Sequence, residues 1–336
     1  MSNKVFSEPT QQAETQLNTQ DFDIAKILGI TITATKPKKM SLRTEIKDFI
    51  KEFEEGFEEE EFFAPKLYHY TDLTALKGIV ESKKLWATHI NFLNDKSERK
   101  YAHEKVAPII RELFQNKNEN YEKILEYFEK KIPFVTSSDL YITSFSKEPD
   151  SLSQWRGYGK KYDSVCIGFN TEKFIPDLGE RALCLLNKIE YCEEKQEEYI
   201  RDYLSGICNI LERCPNEKME EELRNNLLFV LFRYLAKMKH PSWEEEAEYR
   251  LIYALGRHRS GVARKIEPEF RVGKANLIPY IPVNPFKNED FENGIFKIIL
   301  PQSENYENSK MAIEKLLDKH GFKDVCIEKS KIPIAY

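Results

Sequence analysis

The sequence predicts an α+β fold: a mixed, mainly antiparallel sheet with flanking helices and a helical insertion. Short stretches of strand-like apolar alternation are interspersed with helical periodicity, without strict βαβ alternation. No Gly-x-Gly-x-x-Gly or P-loop pattern occurs, which argues against a doubly wound nucleotide-binding fold. The chain has 336 residues, 41% apolar and 32% charged, an ordinary globular balance with ample length for a core.

Residues 1–40 are rich in Gln, Thr, Asn, Ser and Lys, broken by one apolar patch from Ile24 to Ile32. They are expected to form a flexible arm with a short ordered element, able to dock on the domain, on a partner or on a second copy. Residues 41–64 predict an N-terminal helix, because Leu42, Ile46, Phe49, Ile50 and Phe53 recur at helical spacing. Its run Glu58–Glu61 reads as a solvated end.

The domain proper is expected over 65–336. Lys66–Thr71 reads as a strand, and Asp72 caps a helix carrying Leu73, Leu76, Ile79 and Val80. Lys84–Ile90 is a second strand. A turn at Asn94-Asp95 leads into a helix to about Phe114, and another helix covers 119–130. Leu140–Phe145 alternates like a strand, and Ser151–Tyr158 suits a short helix. Val165–Phe169 is a continuous apolar run, expected as a central strand. Ala182–Tyr191 is another strand. Two amphipathic helices, near 193–212 and 217–238, make up the helical insertion 193–240. Strands at Glu248–Ala254, Ala275–Pro282 and Phe296–Leu300, a helix near 304–319 and a strand Val325–Glu328 complete the chain.

The net charge of −5 announces no basic nucleic-acid-binding domain. None of the six cysteines (Cys166, Cys184, Cys192, Cys208, Cys214, Cys326) forms a CxxC pair. They are expected as buried free thiols, with no metal site, which fits a cytoplasmic protein. No apolar run is long enough to span a membrane, and the N-terminus lacks an apolar leader core, so no membrane association is expected.

Four constellations can carry chemistry. In Tyr68-His69-Tyr70-Thr71, a strand histidine between aromatics could act as acid, base or hydrogen-bond donor, or be a structural histidine. Ser144-Phe145-Ser146, followed by Trp155-Arg156-Gly157-Tyr158, could offer hydroxyls, rings for stacking and a guanidinium for phosphate or carboxylate. The alternative there is a core Trp155 and a surface Arg156. Glu246-Ala247-Glu248-Tyr249-Arg250 would place two carboxylates and Arg250 on one strand face, either for catalysis or as a structural ion pair. Asn94, Asp95 and Glu98 suit a helix cap or a metal or substrate contact.

In this order the segments resemble the domain-of-unknown-function family 2971, over roughly 65–335. The resemblance rests on Leu67–Thr71, Asn91–Asp95 through Glu98, Ser144–Ser146 through Trp155 and Tyr158, Ile167–Phe169, Trp243–Arg250, and Lys329–Pro333. More loosely, His69-Tyr70-Thr71, a helix and Lys84-Leu85-Trp86 resemble the opening of ADP-ribosyltransferases. That likeness implies a split sheet, NAD as substrate, and His69, Tyr158 and Glu246 or Glu248 as catalytic residues. Around them it implies Tyr70, Thr71, Ser144, Ser146, Trp155, Arg156 and Arg250 as NAD contacts. The expected function is an NAD-dependent transferase or glycohydrolase, a toxin or defence effector whose acceptor could be protein, nucleic acid or water. The alternatives are a metal-dependent nuclease using Asp95, Glu98, Glu246 and Glu248, and a non-catalytic module in bacterial stress or phage defence.

Overall fold

β3 (Leu140–Ser146) is the strand around which the computed structural model is organised. The structure describes residues 41–59, 64–93, 97–115, 117, 119–131, 140–158, 163–174, 182–214, 217–255, 266–273, 276–286 and 291–333. The expected arm over 1–40 and the turn Asn94-Asp95 lie outside these residues, as does the side chain of Glu98.

One edge of β3 is filled by β6 (Glu248–Leu255), antiparallel from Leu140↔Ala254 to Ser146↔Glu248. A strand has two hydrogen-bonding edges, so its two other partners share the remaining one. β2 (Leu85–His89) takes the start of that edge, at Thr88↔Ile142 and His89↔Tyr141. β1 (Lys66–Asp72) takes its end, at Tyr68↔Ser146. Between these two pairings the sheet forks. β1 leads outward to β4 (Ser164–Asn170), β9 (Ile295–Leu300) and β10 (Cys326–Lys329). β2 leads outward to β8 (Leu277–Val283) and β7 (Glu269–Val272), while β5 (Ala182–Lys188) extends β6. Among the described strands only β9 and β10 pair in parallel, so the sheet is mixed and mainly antiparallel, as expected.

The two faces of β3 and β6 enter two different cores, as the strand period of two requires. Leu140, Ile142, Ile252 and Ala254 join an apolar cluster with α1 (Leu42–Glu59), α3 (Ser97–Phe114), α4 (Glu119–Lys131), α6 (Glu193–Arg213) and α7 (Glu221–Leu235). α6 buries Ile200, Tyr203, Leu204, Ile207 and Leu211, a single stripe at helical spacing. α1 is part of this same core: Phe49 stacks on Tyr203 and Phe53 meets Tyr199 edge-on. Tyr141, Phe145, Leu251 and Tyr253 enter the second cluster, with α2 (Leu73–Ser82) and α8 (Tyr306–Lys319).

The predicted cap of α2 is present: Asp72 Oδ1 accepts from the Ala75 amide at 2.8 Å. Asp72→Ala should lower unfolding free energy by about 1 kcal/mol, and Asp72→Asn by much less, because Asn retains the acceptor. Urea denaturation of the two variants checks this; equal losses would show that charge rather than capping matters there.

Three expectations need correction. β7 was not foreseen, and β8 begins at Leu277 rather than Ala275. The strand expected to Tyr191 stops at Lys188. Cys166, Cys208 and Cys214 are buried free thiols, but Cys192 and Cys326 are exposed. The side chain of Cys184 lies outside the described residues.

Candidate functional site

A cavity of about 530 Å³ opens where the sheet forks. Because β1 and β2 part there, side chains from both sheet faces reach it: His69, Thr71 and Thr143 from one, Trp86, Thr88, Ser144, Glu248 and Arg250 from the other.

His69 bridges the fork. Its Nδ1 lies 2.8 Å from the Ser144 carbonyl oxygen. A carbonyl only accepts, so Nδ1 carries the proton. Burial pushes the imidazole pKa below its ordinary 6.5; the Ser144 bond opposes this and the Arg271 charge adds to it. The ring is therefore neutral near pH 7, and Nε2 keeps its lone pair as an acceptor.

The acidic side of the cavity is a four-charge network. Glu248 is buried and accepts from Arg250 Nε at 2.7 Å and Nη2 at 2.9 Å, a bidentate fork. Lys239 Nζ reaches Glu246 at 2.5 Å and Glu248 at 3.1 Å. Arg250 Nη1 also donates to the Ala236 carbonyl at 3.0 Å, and Tyr191 holds the Glu248 amide at 3.0 Å. Burial alone would raise the Glu248 pKa. The charges of Arg250 and Lys239, with hydrogen bonds from Arg250 and Ser144, outweigh it and hold the carboxyl well below its ordinary range. Among the described residues the network holds two carboxylates and two cations. Glu246 is its more accessible carboxylate, with 12% of its side chain exposed against 4% for Glu248.

Glu246 does not reach this position by strand alternation, contrary to expectation. It ends a 3₁₀ turn, Pro241–Glu246. Ala247 then adopts a left-handed conformation, φ 44°, before β6 begins at Glu248. Ser146 clasps the turn: its Oγ donates to the Glu246 carbonyl at 2.7 Å and accepts from the Glu148 amide at 3.0 Å.

The structure thus gathers His69, Tyr70, Thr71, Ser144, Tyr158, Glu246, Glu248 and Arg250 around one cavity. The Tyr158 hydroxyl stays protonated, its pKa raised by burial and then by Glu248 and Glu246. Tyr70 lines the cavity, but its hydroxyl donates to the Glu148 carbonyl and accepts from the Ser151 amide.

Three expected contacts lie elsewhere. Ser146 is buried as the turn clasp. Trp155 is core at 1% exposure, edge-on to Tyr70, with its indole N–H donated to Asp150 at 2.7 Å. Arg156, one residue later on α5 (Leu152–Tyr158), is exposed and outside the lining.

Several lining residues were not singled out, among them Trp243, Lys239, Arg271 and Thr88. Trp243, 40% exposed, stands at the cavity with Lys239 Nζ 5.3 Å from its ring centre. Lys239 has no local sequence signal, yet two buried carboxylates beside one arginine call for a second cation. Arg271 comes from β7; the alternation Glu269-Phe270-Arg271-Val272 before Gly273 was the available signal. Among the described residues, no three His, Cys, Asp or Glu side chains gather as a metal site. No described helix is long and apolar enough to cross a membrane.

No curated protein matches the chain. A family model does cover the charged half of the site: residues 154–251, with Tyr158, Lys239, Glu246, Glu248 and Arg250 but neither His69 nor Arg271, match the family described as "Protein of unknown function (DUF2971)".

Proposed function

We propose that the forked cavity binds NAD and cleaves its nicotinamide–ribose bond. The observation that carries this reading is the placement of a neutral histidine and an accessible carboxylate, His69 and Glu246, on one nucleotide-sized cavity. Breaking the C1′–N bond sends its electron pair to neutral nicotinamide and leaves an oxocarbenium-like ribose. Glu246 stabilises that developing positive charge and accepts from a ribose hydroxyl. His69 Nε2 accepts from a second hydroxyl and fixes the ring. Trp243 offers a partly exposed aromatic face to a planar ring. Water or another nucleophile then bonds to C1′ and loses its proton; with water, the products are nicotinamide, ADP-ribose and a proton. Glu248, saturated by Arg250 and Lys239, acts by holding Lys239 and hence Glu246 in place.

The same saturation favours a second reading, a cavity that binds a nucleotide without turning it over. Incubation of the full chain with NAD separates the two. Release of nicotinamide is the expected result. NAD binding by calorimetry with no nicotinamide formed would leave the binding module, and no binding at all would sink both.

A further inference from the structure

The cavity carries a further charge that the network around Glu248 does not balance. Arg271 reaches in from β7, donates from Nη2 to Thr88 Oγ1 at 2.9 Å, and lies over the Trp86 ring, 5.8 Å from its centre. That is its one side-chain hydrogen bond among the described residues, although a guanidinium carries five N–H donors. Its Nε is buried and has no acceptor among the described residues. No described carboxylate lies within ion-pair distance of it; Asp72, the acid nearby, spends an oxygen on the α2 cap. A second orphan lines the same cavity: the Thr143 hydroxyl, buried at the fork, likewise has no partner among the described residues. A buried guanidinium N–H and a buried hydroxyl, neither with a partner among the described residues, are costly unless a ligand completes them.

The chemistry of that ligand follows from the donors. A guanidinium with free N–H groups selects an oxyanion. Hydroxyls from two different strands, Thr88 on β2 and Thr143 on β3, add donors from other directions. A carboxylate is satisfied by one flat fork, whereas a phosphoryl group has oxygens enough for all three. We infer that Arg271, Thr88 and Thr143, which line the same cavity, form a phosphate subsite that holds a phosphoryl group of the ligand. In the NAD reading, on which this placement of the ligand rests, that group is the pyrophosphate. The subsite itself needs only a phosphorylated ligand.

Calorimetry on the full chain with inorganic pyrophosphate, ADP-ribose and adenosine tests it, with Arg271→Gln and Arg271→Lys beside the wild type. The wild type should bind pyrophosphate and ADP-ribose. Arg271→Gln should weaken both by about tenfold or more, and Arg271→Lys by less, since lysine keeps the charge and loses the fork. Adenosine affinity should not change. Thermal melting guards against misfolding: pyrophosphate should raise the melting temperature of the wild type and not that of Arg271→Gln, whose own melting temperature should equal or exceed the wild type's once the unpaired charge is gone. Pyrophosphate binding equal in wild type and Arg271→Gln, or absent from the wild type, overturns the subsite even if nicotinamide is released. Loss of pyrophosphate binding in Arg271→Gln with no nicotinamide release keeps the subsite and removes the NAD reading alone.

Discussion

Glu248→Gln should lower the unfolding free energy by about 3–5 kcal/mol, the cost of removing one partner from a buried ion network. The carboxylate sits at 4% side-chain exposure, with Arg250 at 3% and Lys239 at 5%. Gln keeps the shape and removes the charge, so two buried cations face the single carboxylate of Glu246. The double change Glu248→Leu with Arg250→Met removes one charge of each sign, and should cost less than the sum of its parts. Acid should expose the same coupling. The folded pKa of Glu248 is lowered from its ordinary 4.5, so the unfolded chain takes up the proton first. Its contribution is complete above pH 4.5 and is lost as pH falls through the folded value. The stability gap between wild type and Glu248→Gln should therefore be widest near neutrality and narrow below about pH 4.5. Urea titrations across pH measure it; equal stabilities at pH 7 would mean that the network is not holding the sheet.

Much of the fold was legible because its signals are local. The Asp72 cap, the strand at 66–71, the apolar run of β4 and the helical stripe of α6 all depend on neighbours in sequence. The fork was not legible in this way. It arises because β1 and β2 share one edge of β3, a matter of long-range pairing. The side chains gathered by that fork were legible mainly as types: a strand histidine, a Glu-x-Glu-x-Arg run, a hydroxyl-rich strand end. Their roles were not. Trp155 and Ser146 have the same residue chemistry as ligand contacts, and only burial beneath Tyr70 and beside the 3₁₀ turn makes them structural. β7 escaped notice because four residues with exposed Phe270 and Val272 look like loop, yet the residue between them enters the cavity. The family match is similarly partial: the sequence resemblance ran over 65–335, and the match is confined to 154–251.

Glu246→Gln should cut nicotinamide release by about 100-fold or more, the usual scale for removing one group that stabilises transition-state charge. Its effect on stability should be smaller than that of Glu248→Gln, because Lys239 keeps Glu248 and Glu246 already touches solvent. That contrast separates a catalytic carboxylate from a structural one: Glu246→Gln loses rate while remaining folded, and Glu248→Gln loses both. The pH profile then isolates His69. Nε2 can accept a ribose hydroxyl only while the ring is neutral, so kcat/KM should fall on the acid side with a midpoint below 6.5, since burial depresses that pKa. His69→Asn should lose activity and also lose this acid limb, because an amide does not titrate there. A Glu246→Gln protein that releases nicotinamide at the wild-type rate would remove the carboxylate from the chemistry. An acid limb that persists in His69→Asn would assign the titration to another group and return His69 to the role of a strut across the fork.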